Sequence, residues 1–271
     1  MKRIVLLLFV VLLPLLLAAC GSGESTSSEQ AEASGPYLPN QRVEAYAYTH
    51  GGYVGRAEVI VGADGALSVD IDEAFLPHTL ALVDIESSDW SEANTVAYMS
   101  RGNEYHVAKY VQYNNKVYAG VPTGSGFSYV EADENGNPSG NLDLEKAILR
   151  NHDTMRAYYA LVRSGGFAVL PSFGAEAVPV TTTSYGGVTK KNAPGYWNSG
   201  QTWIGNIEAM ETFIEENGGQ YSLTDMVQAS EENADGLKFW SVADSVTAAT
   251  NSDFKDYFSL VQNALGRLKT N

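Results

Sequence analysis

A single cysteine, Cys20, stands in the 271 residues, so no internal disulfide can form. Basic residues are scarce: 17 Lys and Arg face 32 Asp and Glu, a formal net charge of −15. A surface this acidic repels nucleic acid and anionic lipid headgroups, which argues against nucleic-acid partners. Histidine is rarer still. His50, His78, His106 and His152 lie far apart with no H-x-x-x-H pair, so neither a metal centre nor a His-based catalytic triad is expected. The phosphate-cradling G-x-x-x-x-G-K-[ST] and the zinc motif H-E-x-x-H are both absent. The Asp/Asn-rich stretch at 132–141 lacks the terminal glutamate of a calcium loop and reads as a polar turn. The apolar run at 4–17 has only 14 residues, where a bilayer span needs about 20.

That run defines the N-terminus. Lys2 and Arg3 precede it and Leu17-Ala18-Ala19-Cys20 closes it, the layout of a secretory leader. Small residues before a cysteine resemble the lipobox of bacterial lipoproteins. The resemblance implies a leader at 1–19, cut before Cys20, whose thiol then carries diacylglycerol. Its acyl chains would insert in a bilayer at about 0.8 kcal/mol per buried methylene. The expected address is the extracytoplasmic side of the cell membrane or outer membrane. Residues 20–36 are rich in Gly, Ser and Glu, carry no apolar period, and are expected to be a flexible tether. Losing Lys2 and Arg3 with the leader leaves 15 of the 17 basic residues against 32 acidic ones. Residues 37–271 suffice for one large core or two modest ones, and are expected to form a single domain.

Strand signals come first. Residues 42–48 and 53–61 alternate, and Asp64-Gly65 predicts a hairpin turn. Beyond it Leu67, Val69 and Ile71 share one face, against Ser68, Asp70 and Asp72 on the other. A second hairpin is predicted from 107–113 and 116–121, turning at Asn114-Asn115. Helical periodicity follows over 142–166, with Leu144, Ile148, Met155, Tyr159 and Val162, and over 202–219, with Ile204, Ile207, Met210 and Ile214. The last helix is predicted at 253–268, its apolar face running from Phe254 through Tyr257, Phe258 and Val261 to Leu268, with Ser252 as N-cap. Hairpins followed by helices predict an α+β fold, an antiparallel sheet with helices packed on it.

Just ahead of that last helix the chain reads Asp244-Ser-Val-Thr-Ala-Ala-Thr-Asn-Ser252. A helix N-terminus offers unpaired N–H groups and the positive end of a dipole, which favour phosphate. Ala248 and Ala249 let a ligand approach the backbone, and the hydroxyls of Thr247 and Ser252 suit phosphate oxygens. Thr250 sits where a phosphate could esterify its hydroxyl. The same run also reads as a strand-to-helix turn with a good cap.

Asp244-Ser-Val-Thr-Ala-Ala-Thr250 resembles the D-x-x-[ST]-G-A-[TS] flavinylation motif of FMN-binding domains. Such domains occur in the C and G subunits of sodium-pumping quinone reductases and Rnf complexes, and in other extracytoplasmic flavoproteins. The resemblance implies FMN on Thr250 as a covalent phosphoester, installed by a flavin transferase, with Asp244 and Thr247 at the other fixed positions. Ser252 matches a common trailing hydroxyl, and Ala248 stands where the motif has glycine. Residues 51–72 are similar to the domain's opening, a G-x-Y-x-G turn into strands joined by Asp-Gly. About 170 residues separate Asp72 from Asp244, so the domain would be an expanded FMN-binding-domain-like fold with a large insertion. The 190–203 segment, with Lys190, Lys191, Tyr196, Trp197 and Trp203, also resembles lipoprotein members. The implied activity is electron transfer with redox proteins or quinone as partners, and no catalytic acid or base is required. The alternative is a cofactor-free solute-binding or adhesion lipoprotein. A reductase of a small organic acceptor is a third reading, with Lys190 and Lys191 as its carboxylate contacts.

Overall fold

The computed structural model describes residues 35–49, 52–87, 89–124, 126–198, 200–234, 236–242, 245–247 and 249–271. Cys20, the expected leader and nearly all of the expected tether lie outside the described residues, as do Asp244 and Ala248. Ala33–Asn271 make up one compact unit.

Alternation along the first strands builds a sheet with two unlike faces. β1 (Gln41–Thr49), β2 (Tyr53–Val61) and β3 (Leu67–Phe75) pair antiparallel in that order. The β2–β3 turn falls where Asp64-Gly65 predicts it: Gly65 has φ 81° and Asp64 Oδ1 accepts the Ala66 N–H at 3.1 Å. Register aligns Ala45 with Ala57 and Ile71, and Val43 with Val59 and Val69, a largely buried apolar face. One residue along, it aligns Glu44 with Glu58 and Asp70, and Tyr46 with Arg56 and Asp72. On this second face Arg56 reaches Glu44 and Glu58 at 3.0 Å and Asp70 at 2.6 Å.

The chain continues through α1 (Pro77–Leu80), a hairpin of β4 (Thr95–Ser100) and β5 (Asn103–Ala108), then β6 (Tyr110–Tyr113), β7 (Lys116–Thr123) and β8 (Gly126–Glu131). Next come α2 (Leu144–Ile148), α3 (His152–Arg163), β9 (Ala168–Leu170) and β10 (Val178–Pro179). Strands β10–β9–β6–β7–β8 form a five-stranded antiparallel sheet. α4 (Trp203–Glu216), a small sheet of β11 (Met226–Gln228), β12 (Trp240–Val242) and β13 (Ser245–Val246), and α5 (Phe254–Leu265) complete the fold. The architecture is α+β, with antiparallel sheets throughout the described residues.

Two hydrophobic cores share the first sheet. α4 and α5 cover its apolar face, α5 across β1 and β2 and α4 along β3. The periodic residues Tyr257, Phe258 and Val261 are buried there as expected, and Leu260, outside the sequence-predicted stripe, joins them. The second core gathers Tyr46, Val54 and Phe75 with α2, α3 and residues of the five-stranded sheet. Gly55 lets α5 come close, because a Cβ there would stand 2.5 Å from Thr49 Cγ2 and 3.0 Å from Leu260 Cδ2. Gly55→Ala is therefore expected to lower stability by about 1–3 kcal/mol through overpacking. Urea melts would show it as a lower midpoint at unchanged slope, and an unshifted midpoint would refute the close approach.

Three local expectations are corrected. The 142–166 run is two helices, because Asn151 opens a new one with a reciprocal capping box: its side chain accepts the Thr154 N–H, and Thr154 Oγ1 accepts the Asn151 N–H. The 107–113 strand breaks at Lys109. Its N–H donates to Asn94 and its carbonyl accepts from Gly120, so β5 pairs with β4 while β6 pairs with β7 and β9. Ser252 is not the cap of α5. Asp253 holds that position without a side-chain cap bond, and the Ser252 hydroxyl donates to Asp253 Oδ1 at 3.1 Å.

Candidate functional site

Trp240 shapes the segment that carries Thr250. Its N–H donates to the Ala249 carbonyl at 2.8 Å, and its carbonyl accepts the Thr247 N–H at 2.9 Å. The indole Nε1–H donates to the Asn251 carbonyl at 2.8 Å, and the ring stacks on Phe254 with centroids 4.9 Å apart. Thr247, Ala249, Asn251 and Phe254 are thus all held by one residue, through its backbone and its ring. Thr247 is buried, and its hydroxyl donates to the Trp240 carbonyl at 2.9 Å, so it braces the turn. Ala249 is fully buried, its N–H donating to Thr247 Oγ1 at 3.3 Å.

Asn206, on the first turn of α4, holds Thr250 from the other side. Its Oδ1 accepts the Thr250 N–H at 2.6 Å, the Asn251 N–H at 3.2 Å and the Thr250 hydroxyl at 3.2 Å. Its amide nitrogen donates to the carbonyls of Gln201 and Thr202 at 3.0 Å. The side chain is fully buried and fully bonded, so it fixes the Thr250 backbone and hydroxyl together. Thr250 itself is half-buried, and its carbonyl receives Gln228 Nε2 at 3.4 Å.

The adjacent Asn251 is the opposite case. It is 3 % exposed, and neither its amide nitrogen nor its amide oxygen has a hydrogen-bond partner among the described residues. Leaving a buried donor or acceptor unpaired costs about 1–3 kcal/mol, so such a group calls for a polar molecule beside it. An open groove of about 420 Å³ runs along α4 past Gly205, Glu208, Thr212 and Glu216, with Thr247 on its edge.

Behind this segment lies a buried ion pair. Lys190 and Glu73 are 2 % and 0 % exposed in their side chains, with Nζ 2.5 Å from Oε2. The ammonium stands 3.5 Å from the Tyr53 ring centroid, 4.4 Å from that of Tyr196 and 5.4 Å from that of Trp203. Tyr257 of α5 donates to Glu73 Oε2 at 3.0 Å, and Trp203 of α4 donates to the Tyr257 oxygen at 3.0 Å. Burial pushes the Glu73 carboxyl up against the pull of Lys190, and pushes the Lys190 ammonium down against the pull of Glu73. Lys191 sits 2.5 Å from Asp70 and 2.7 Å from Glu211. Both lysines of the 190–203 segment are therefore engaged by carboxylates of this chain.

Thr247, Ala249, Thr250 and Ser252 lie between β13 and α5, the Thr247 hydroxyl donating to the Trp240 carbonyl, that of Thr250 to Asn206 Oδ1 and that of Ser252 to Asp253 Oδ1. Sequence reasoning missed Asn206, Trp240, Asn251 and Glu73. Asn206 did leave a signal: it is a polar residue inside the apolar stripe of α4, one position before Ile207. Among the described residues no cluster of His, Cys, Asp or Glu is arranged to hold a metal. His78, His106 and His152 are engaged separately by Glu145, Glu104 and Asp153. The 132–141 stretch is a turn in which Asp133 Oδ1 accepts the N–H groups of Asn135 and Asn137. No family model, curated protein or solved structure matches the chain.

Proposed function

We propose that this protein is a lipid-anchored extracytoplasmic flavoprotein that carries FMN as a phosphoester on Thr250 and transfers electrons. The reading rests on the flavinylation-like run at 244–250 and the lipobox-like residues at 17–20. The observation that carries it is the setting of Thr250: a half-buried hydroxyl fixed by Asn206, beside an unpaired buried amide at Asn251. These groups fit a phosphate. Asn251 offers a donor, Ala249 adds no side-chain bulk, and α5 begins four residues past Thr250 with no side-chain cap on its first N–H groups. FMN supplies one- and two-electron chemistry once attached. The chain's own contribution is to present the Thr250 hydroxyl, orient the attached phosphate and keep the segment rigid through Trp240 and Asn206. A flavin transferase would be the maturation partner, and redox proteins or quinone the electron partners. An expanded FMN-binding-domain-like fold belongs to the same proposal.

The reductase of a small organic acceptor lacks support in the site, because Lys190 and Lys191 already hold Glu73, Asp70 and Glu211 and are not free to take an acceptor's carboxylate. The cofactor-free binding lipoprotein is separated by one experiment. The chain co-expressed with an active flavin transferase is expected to be yellow and to gain about 440 Da, one FMN residue, on intact mass measurement. A colourless folded protein of unmodified mass would overturn the flavoprotein reading.

A further inference from the structure

The charge of this acidic chain is unevenly spread. Five of its seven arginines beyond residue 19 line two adjoining cavities on the ionic side of the first sheet. The larger, about 710 Å³, is walled by Arg42, Arg56, Arg156 and Arg163 over the rings of Tyr46 and Tyr159. The smaller, about 420 Å³, shares Arg42 and Arg156 and adds His152 and Arg267. The acids here are Glu44, Glu58 and Asp70 around Arg56, Glu58 on Arg42, Asp153 at 3.6 Å from Arg156, and Asp72 under Tyr159. Glu44, Glu58 and Asp70 neutralise Arg56, and Glu58 and Asp153 also pair with Arg42 and Arg156. Arg42, Arg156, Arg163 and Arg267 remain solvent-exposed, and the last two have no ion-pair partner among the described residues.

The described chain begins beside this patch. The Asn271 N–H donates to the Pro36 carbonyl at 3.1 Å, and the Leu38 N–H to the Lys269 carbonyl at 2.9 Å. Gln41 bonds Lys269 through both ends of its amide. Arg42 follows Gln41 directly, Arg267 lies two residues before Lys269, and Lys269 is itself exposed. An anchor at Cys20 would be joined to this corner by residues 20–34, which reach at most about 50 Å when fully extended.

We infer that the arginine face is a membrane-docking surface that takes the phosphates of anionic lipid headgroups, holding the domain in one orientation on the bilayer to which Cys20 anchors it. The inference rests on the lipid-anchor reading. Guanidinium forks suit phosphate oxygens. The acidic remainder of the surface is repelled by the same headgroups, so attraction here and repulsion elsewhere both orient the domain. Net charge alone predicts repulsion from anionic lipid; this face is the exception because it presents exposed guanidinium groups, those of Arg163 and Arg267 without an ion-pair partner among the described residues.

The test uses the full lipidated chain in vesicles of phosphatidylcholine, with or without phosphatidylglycerol, and phenylglyoxal as an arginine-labelling probe read by peptide mass spectrometry. Labelling of Arg42, Arg156, Arg163 and Arg267 is expected to slow several-fold on the anionic vesicles and to recover at high salt. Arg101 and Arg150, outside the patch, should label alike on both. Each basic residue near an anionic surface is worth roughly fivefold in affinity, so Arg156→Gln with Arg163→Gln should weaken docking about twenty-five-fold. The remaining patch arginines would then label as they do on neutral vesicles. A chain that enters both vesicles but labels identically overturns the docking alone. Equal protection by inorganic phosphate on neutral vesicles also overturns it, making the patch a soluble-anion site. A chain that enters neither vesicle overturns the anchor and the docking with it.

Discussion

Lys190→Met is expected to lower the unfolding free energy by about 3–5 kcal/mol, the usual loss when one partner of a buried ion pair is removed. Glu73 is fully buried, and its Oε2 would retain only the Tyr257 hydroxyl at 3.0 Å. Methionine fills much of the space among Tyr53, Tyr196 and Trp203, so the loss reports the stranded charge more than a cavity. A double variant, Lys190→Met with Glu73→Leu, should recover most of the stability, because two apolar groups replace the pair. The pH dependence has a definite sign. Burial already raises the Glu73 carboxyl, and removing the ammonium raises it further. A group whose folded pKa exceeds its unfolded one stabilises at low pH and loses that contribution as pH rises through the folded value. The single variant should therefore differ least from the parent in acid and most above the ordinary glutamate range. Urea melts across pH measure this. A single variant as stable as the parent at neutral pH would show that the pair is not desolvated, and a double variant no better than the single would assign the loss to the aromatic cage.

The sequence-level reading reached the first sheet and the last helix because both are ruled by local period. Ala57, Val59 and Val61 alternate with Arg56, Glu58 and Ile60, so the two faces can be assigned before any contact is known. The Asp64-Gly65 turn and the α5 stripe are equally local. The missed features depend on partners far away in sequence. Asn206 acts on Thr250 across 44 positions, and Lys190 is buried only because Glu73 waits inside. A lysine beside another lysine looks like solvent-exposed loop, and no window of sequence contains its counterion. Asn151 ended a helix whose apolar period ran straight through it, since a capping box outweighs periodicity where the two compete. The arginine face was hidden for a further reason: Arg42, Arg56, Arg156, Arg163 and Arg267 come from four separate segments, and net charge averages them away.

Thr250→Val is expected to abolish flavin attachment while leaving the fold intact. Valine keeps the β-branched shape and the backbone N–H that donates to Asn206 at 2.6 Å, losing only the 3.2 Å hydroxyl bond, about 1 kcal/mol. Thr250→Ser retains a hydroxyl on the same backbone and should keep part of the modification. Asn206→Ala strands the N–H groups of Thr250 and Asn251 and frees the hydroxyl, so it should lower both stability and flavin content. Thr247→Val should cost stability first, because that hydroxyl bridges the Trp240 carbonyl and the Ala249 N–H. Asp244→Ala should reduce attachment without a comparable loss of stability, if the acid serves the transferase. Ala248→Gly should leave attachment unchanged or raise it. Peptide mass spectrometry of residues 239–255 after co-expression with the transferase reads all of these, with melting curves beside them. FMN found on Thr247 would preserve the activity and shift the attachment site by three residues. Flavin retained in Thr250→Val at the parent's level, with no other hydroxyl modified, would mean that the cofactor is held without the phosphoester and would remove Thr250 from the chemistry.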